Sequence, residues 1–122
     1  MRHVLILDDS LDFSRSLGLL LHARGFVSTV IHQAVEVLTF AERLRPEVII
    51  LDIATPALNG YEICQALRAE AWGHSMLLIA HSPLADPSQH RRALLSGFDF
   101  VYAKADCPMP LAIMIVEALS RS

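Results

Sequence analysis

The sequence lacks the features that build membrane-spanning, secreted or disulfide-bonded proteins. Its longest apolar run, residues 111–116, is far shorter than the ~18 residues that a membrane-spanning helix needs. The apolar run that follows the N-terminus is too short for a signal peptide. The two cysteines, Cys64 and Cys107, do not have the paired spacing of a disulfide framework or a metal motif. We therefore expect a cytoplasmic protein without a membrane partner, in which both cysteines pack as small hydrophobic residues.

The sequence also lacks an excess of positive charge. Its 10 Lys and Arg residues are scattered among 13 Asp and Glu residues, which gives a net charge of −3. A nucleic-acid-binding domain normally gathers its basic residues into one patch or stripe. We therefore expect no nucleic-acid partner for this chain.

Apolar residues, by contrast, are abundant enough for a full core. They make up 53% of the 122 residues, and a chain of this length buries roughly two-thirds of its extended surface on folding. These proportions exclude the disordered and fibrous classes. They predict one domain over residues 1–122.

Short β-rich apolar runs alternate five times with longer segments of helical period. The runs predict strands at residues 3–7, 26–31, 48–51, 76–80 and 98–103, followed by helices that begin near Ser10, Gln33, Leu58, Asp86 and Met109. Continuous Val, Ile and Leu, as in residues 48–51, is typical of a parallel strand that is covered on both faces. The pattern therefore predicts an α/β fold with five βα units around a doubly wound parallel sheet.

Polar residues follow four of the predicted strands at their carboxyl ends. They are Asp8 and Asp9 after the first, Asp52 after the third, Ser82 after the fourth and Lys104 after the fifth. Each alone is more typical of a helix cap or a turn than of a functional site. In a parallel sheet, however, these ends meet at one edge, where three carboxylates repel one another unless a cation lies among them. The set predicts a site for a hard cation such as Mg²⁺.

These residues also occur in a familiar order and spacing. The motifs are Asp8-Asp9, the segment Asp52-Ile53-Ala54-Thr55-Pro56 with Gly60 eight residues after Asp52, Ser82 thirty residues after it, and Lys104 fifty-two residues after it. Over nearly its whole length the chain resembles the receiver domain of two-component response regulators. The resemblance implies the strand order 2-1-3-4-5 of flavodoxin-like folds.

The resemblance also implies a role for each site residue. Asp52 resembles the acceptor of a phosphoryl group from a sensor histidine kinase or a phosphotransfer protein. Asp9, Asp52 and the Ala54 carbonyl resemble direct Mg²⁺ ligands, with Asp8 acting through water. Lys104 and Ser82 correspond to the residues that contact the phosphoryl oxygens. Such a domain is regulatory rather than an enzyme, since its output is a changed partner-binding surface.

Four positions depart from the pattern of that family. Pro83 follows Ser82 and has no backbone N–H to donate to a phosphoryl group. Val101 replaces a common aromatic switch residue, Ala105 replaces a proline after Lys104, and Thr55 replaces a frequent methionine. Two alternatives therefore stay open: a receiver-like module that binds partners without phosphorylation, and a small aspartyl-phosphate hydrolase. The hydrolase class usually needs a second Asp where this chain has Ala54.

The last predicted helix is apolar almost all round. Leu111, Ile115 and Leu119 form one stripe that can cover the sheet, which leaves Ala112, Ile113 and Val116 facing outward. This pattern is typical either of a helix with a broad buried face or of a docking surface for a second copy or an effector, and both interpretations stay open. Among the six histidines, only His81, which adjoins Ser82, lies near the predicted site, and we expect it to be a packed and hydrogen-bonded core residue.

Overall fold

A computed structural model describes residues 2–83, 86–103 and 107–121. Its sheet has five parallel strands in the order β2-β1-β3-β4-β5, which confirms the predicted fold class and strand order. The strands are β1 (Arg2–Leu7), β2 (Phe26–Ile31), β3 (Val48–Asp52), β4 (Leu77–His81) and β5 (Phe100–Tyr102).

Five α-helices follow the strands in turn. They are α1 (Leu11–His22), α2 (Val37–Leu44), α3 (Gly60–Ala69), α4 (Pro87–Ser96) and α5 (Met109–Ser120). Within the described ranges, none of them has both the length and the apolar character needed to cross a membrane.

The second helix begins at Val37 rather than near Gln33, because the 3₁₀ turn Ala34–Glu36 comes first. Two further predicted boundaries were wrong by a few residues. The third helix does not begin at Leu58, because the 3₁₀ turn Pro56–Leu58 comes first and Asn59 then adopts a left-handed φ of 50°. The fifth strand is shorter than residues 98–103, since the Phe98 amide bonds to the Ala93 carbonyl at the end of α4. Both differences arise from local backbone hydrogen bonding that apolar periodicity does not report.

Alternating side chains of each central strand enter two separate cores. In β3, Ile49 and Leu51 pack toward α2, α3 and α4, whereas Val48 and Ile50 pack toward α1 and α5. All five residues of β3 are buried. This double burial explains why the strand reads as a continuous apolar run.

The strand order changes direction between β1 and β3. From β1 the chain winds to β2 on one side, and from β3 it winds to β4 and β5 on the other. The two neighbours are in register with Leu7 beside Leu51, so the residues after them, Asp8 and Asp52, emerge side by side. Ligands of such sheets bind in the crevice at this switch point.

The predicted outward stripe of α5 was wrong in part. Ala112 is fully buried with Leu111 and Ile115 in the core beneath α1, and Val116 is half-buried against the same core. Only Ile113 of the three is exposed, at 44%. The buried face is broader than one stripe because α5 packs against both the sheet and α1.

The two cysteines differ, and the prediction holds for only one of them. Cys64 in α3 is fully buried, and burial raises the pKa of its thiol to about 12. Cys107 is exposed, so its predicted packing as a hydrophobic residue was wrong. It lies outside the core because β5 has already ended at Tyr102 and α5 begins only at Met109.

This difference predicts selective labelling with a thiol reagent such as DTNB at pH 8. One thiol per folded chain reacts quickly, because the thiolate is the reactive form and Cys64 is both buried and protonated. Urea releases the second thiol. In Cys107→Ser the fast phase disappears, whereas Cys64→Ser keeps it; equal reactivity of both thiols in the folded protein contradicts this account.

Candidate functional site

Three carboxylates gather at the switch point of the sheet. One carboxylate oxygen each from Asp8, Asp9 and Asp52 lies within 4.8 Å of the other two. Asp8 and Asp52 are buried, whereas Asp9 is exposed. The structure therefore brings together the three acidic residues that the sequence predicted, in a cluster open to solvent on one side.

Asp52 is held by donors from its own loop. Its Oδ1 accepts hydrogen bonds from the backbone amides of Ala54 at 2.7 Å and Thr55 at 3.0 Å. Its Oδ2 accepts one from the Thr55 hydroxyl at 2.9 Å and a longer one from the Asp9 amide at 3.4 Å. The buried charge is thus stabilised without a basic side chain among these donors.

Asp8 is fixed by His81, which the sequence predicted to be a packed and hydrogen-bonded core residue. Its Oδ2 lies 2.5 Å from His81 Nδ1, and its Oδ1 accepts a hydrogen bond from the Ser10 amide at 2.9 Å. His81 is itself buried and stacked on Phe13 at a centroid distance of 4.0 Å. The predicted core position of His81 is confirmed, and its role is to hold one carboxylate of the cluster.

The sequence did contain a signal for this contact. His81 is in register with Asp52 on the neighbouring strand, and residues in register point to the same face of a sheet. Asp8 extends β1 on the other side of β3. Counting alternate positions from these strand ends places all three side chains on the face that α1 covers.

Ser82 lies directly after β4. Its side chain is fully buried, and Oγ has no hydrogen-bond partner in the part of the chain that the structure describes. The Ser82 amide donates to the Tyr102 carbonyl at 3.1 Å, which fixes the backbone. Lys104, the other residue predicted to contact a phosphoryl group, and the neighbouring Ala105 lie outside the described residues.

Gly60 leaves room for the loop that carries Asp52. A Cβ atom at Gly60 would lie 2.3 Å from the Asp52 carbonyl oxygen and 3.0 Å from a methyl carbon of Ile53. The glycine that follows Asp52 at a spacing of eight is therefore required by close packing. It allows the start of α3 to lie directly against the end of β3.

Among the cavities of the described residues, one adjoins the carboxylate cluster and a larger one lies far from it. A cleft of about 400 Å³ runs from residues 53–56 to Ser88 and Arg92 on α4. A larger one of about 900 Å³ lies at the opposite edge of the sheet, around Arg68. Three carbonyl oxygens and the Asp99 carboxylate already bond to that guanidinium within 3.0 Å, so its role is structural.

The donor set at the carboxylate cluster fits a hard divalent cation. Asp8, Asp9 and Asp52 offer only carboxylate oxygens, which is the chemistry that Mg²⁺ and Ca²⁺ prefer over softer metals. The cluster could therefore bind a metal ion of this class. It also sets three negative charges close together, which a cation would relieve.

Comparison with known families agrees with this geometry. Residues 4–106 match the family described as the response regulator receiver domain. The match includes all the predicted site residues from Asp8 to Lys104.

Curated relatives extend over nearly the whole chain. The chain is 32% identical over 118 residues to protein RcaC of Microchaete diplosiphon, covering 97% of this chain and 18% of that protein. It is 29% identical over 121 residues to the DNA-binding response regulator MtrA of Mycobacterium tuberculosis, covering 99% of this chain and 52% of MtrA. The chain thus spans about half the length of MtrA and less than a fifth of RcaC.

Solved structures share the fold. The chemotaxis response regulator CheY4 of Vibrio cholerae superposes with a TM-score of 0.85 at 21% identity, covering 98% of each chain. At this identity the comparison supports the fold alone.

The tight approach at Gly60 generates a prediction about stability. Gly60→Ala moves the Asp52 carbonyl away from α3 and costs about 1–3 kcal/mol of unfolding free energy, as overpacked positions do. Urea denaturation measures the loss. Gly18→Ala is the matched control, because its Cβ would meet only the hydroxyl end of Ser28 within 3 Å; equal midpoints for the two variants contradict the prediction.

Proposed function

The chain belongs to the response regulator receiver domain family, and from that premise we propose that it receives a phosphoryl group on Asp52 in two-component signalling. The donor is the phosphohistidine of a sensor kinase or a phosphotransfer protein. The observation that carries the proposal is the buried Asp52 carboxylate at the switch point, flanked by Asp8 and Asp9 within 4.8 Å. Asp52 is the member of the cluster that lies on the central strand, because β3 lies between β1 and β4.

Mg²⁺ is the cation that we propose for the cluster. Asp9, Asp52 and the Ala54 carbonyl would hold it directly, and Asp8 would act through water. When bound, the ion supplies positive charge that neutralises the phosphoryl oxygens during transfer. The bonds to Ser10 and His81 keep the Asp8 carboxylate in place for this role.

The remaining residues act on the phosphoryl group itself. The amides of Ala54 and Thr55 orient the Asp52 carboxylate for attack, and positioning is a large part of phosphoryl-transfer catalysis. The hydroxyl of Ser82, which has no partner among the described residues, would donate to a phosphoryl oxygen, and Lys104 would pair with another. Reorientation of Ser82 then changes the surface near β4 and β5, which is the output of the switch.

The partner surface includes α5, where we propose that a second copy or an effector docks around Ile113. Only this residue of the predicted stripe is well exposed, so the contact is smaller than the sequence predicted. MtrA is named as a DNA-binding regulator. For this chain we propose a protein partner and no nucleic acid, because its basic residues are scattered.

A receiver-like module that works without phosphorylation is the second candidate. Pro83 favours it, since the position after Ser82 has no backbone N–H to hold a phosphoryl oxygen. Phosphorylation by a small-molecule donor separates the two functions. A hydrolase is disfavoured by Ala54, which has no carboxyl group to act as a general acid.

The first test is phosphorylation with acetyl phosphate and Mg²⁺, followed by intact mass measurement. We expect one phosphoryl adduct on the native chain and none on Asp52→Asn, which loses the attacking carboxylate. Asp12→Asn, which removes an exposed carboxylate of α1, keeps the adduct. An unmodified native chain favours the phosphorylation-independent module, whereas sustained turnover of p-nitrophenyl phosphate favours the hydrolase.

The second test is stabilisation by the cation. Because Mg²⁺ binds the folded cluster and not the unfolded chain, the free energy of unfolding rises by RT ln(1 + [Mg²⁺]/Kd), or ~2.7 kcal/mol at a hundred times Kd. Thermal melts in millimolar Mg²⁺ and in chelator measure the gain. We expect a smaller gain in Asp9→Asn and an unchanged one in Glu42→Gln on α2; coincident native melts reject the cation site.

A further inference from the structure

The Thr55 hydroxyl bonds to the oxygen of Asp52 that is best placed to react. We propose that this hydrogen bond restrains the phosphorylated state by slowing its formation and speeding its loss. The inference rests on the proposed function of Asp52. It assigns a role to a side chain that departs from the methionine frequent at this position.

The two carboxylate oxygens of Asp52 are not equivalent. Oδ1 accepts hydrogen bonds from two backbone amides, at 2.7 and 3.0 Å. Oδ2 accepts the Thr55 hydroxyl at 2.9 Å and only a long bond of 3.4 Å from the Asp9 amide. Oδ2 therefore has the weaker set of hydrogen bonds and is the oxygen that we assign to attack on phosphorus, with Thr55 as its main donor.

The charge on Oδ2 changes during the reaction. A lone pair of Oδ2 forms the new O–P bond while the P–O bond of acetyl phosphate breaks, and the bonding electrons leave with acetate. Oδ2 thus passes from a charged carboxylate oxygen to a neutral ester oxygen, which is a weaker acceptor. The Thr55 bond stabilises the starting carboxylate more than the transition state and so lowers the rate.

Hydrolysis of the aspartyl phosphate runs through the opposite change. Water attacks phosphorus, the bond between phosphorus and Oδ2 breaks, and its electrons return to Oδ2, while the proton of water passes to solvent through phosphate. Negative charge then develops on Oδ2, where the Thr55 hydroxyl can stabilise it. The same donor therefore accelerates loss of the phosphoryl group.

Ser82 provides the contrast within the same site. Its hydroxyl has no partner in the described ranges, so it loses no hydrogen bond when it turns to a phosphoryl oxygen. The Thr55 hydroxyl, by contrast, already donates a hydrogen bond to Oδ2 of Asp52, which is the reacting atom. Two hydroxyls of the proposed site thus have opposite effects on the phosphorylated state.

The test compares Thr55→Val, which keeps the side-chain shape and both backbone amides but lacks the hydroxyl, with Thr55→Ser, which restores a hydroxyl. We measure the initial rate of phosphorylation by acetyl phosphate with Mg²⁺ and the rate of phosphate loss after the donor is removed. In Thr55→Val we expect the phosphoryl group to be added faster and lost more slowly. The two rate factors multiply to about tenfold, or roughly 1.4 kcal/mol in favour of the phosphorylated state. Thr55→Ser and Thr39→Val, which removes an exposed threonine of α2, stay close to the native rates.

A readout without the cation tests the hydrogen bond itself. The ¹³C resonance of the Asp52 carboxylate in metal-free protein at pH 7 shifts in Thr55→Val and returns in Thr55→Ser. If Thr55→Val folds poorly by circular dichroism, Thr55→Met replaces it, because methionine also lacks the donor.

The outcomes distinguish this inference from the function on which it rests. Unchanged formation and loss in folded Thr55→Val or Thr55→Met, with the native chain phosphorylated on Asp52, overturns the role of Thr55 and leaves the phosphoacceptor function standing. Slower formation in these variants also overturns it, since the hydroxyl would then assist attack. A native chain that takes no phosphoryl group overturns both.

Discussion

The close approach of three carboxylates at one edge of a buried sheet is the constraint on which this site depends. Asp8 and Asp52 leave adjacent strands at positions that the core fixes, because Leu7 and Leu51 are in register and fully or almost fully buried. The chain cannot separate these charges without breaking the pairing of β1 with β3. Their repulsion is therefore built into the native state, and the loops around them must compensate for it.

The compensation comes mainly from neutral donors rather than from an arginine or lysine in the described residues. The neutral donors are backbone amides and the Thr55 hydroxyl on Asp52 and the Ser10 amide on Asp8, which the His81 ring also contacts. Neutral donors satisfy a carboxylate without cancelling its charge. The cluster thus keeps the negative potential that attracts a divalent cation, and Asp9, whose carboxylate receives no hydrogen bond within the described ranges, is left free to bind it.

The sequence predicted the fold and the acidic cluster because both follow from periodicity and topology. Strand ends in a parallel sheet must converge, so Asp8 and Asp52 could be placed together before any coordinates. The predictions from sequence failed where burial or hydrogen bonding depended on side-chain contacts. Burial of Ala112 depends on how α5 meets α1, exposure of Cys107 depends on where β5 ends, and the Thr55 bond depends on the path of a single loop.

Urea unfolding of Asp9→Asn in chelator is the most direct test of the central claim, that the site concentrates repelling charge that a cation relieves. Asp9 is exposed and its carboxylate accepts no hydrogen bond from the described residues. The substitution therefore removes a negative charge and leaves no donor without its acceptor. The account predicts a higher urea midpoint than in the native chain, by a free energy on the order of 1 kcal/mol or less, and no such gain in Glu42→Gln. A midpoint equal to or below the native one contradicts it.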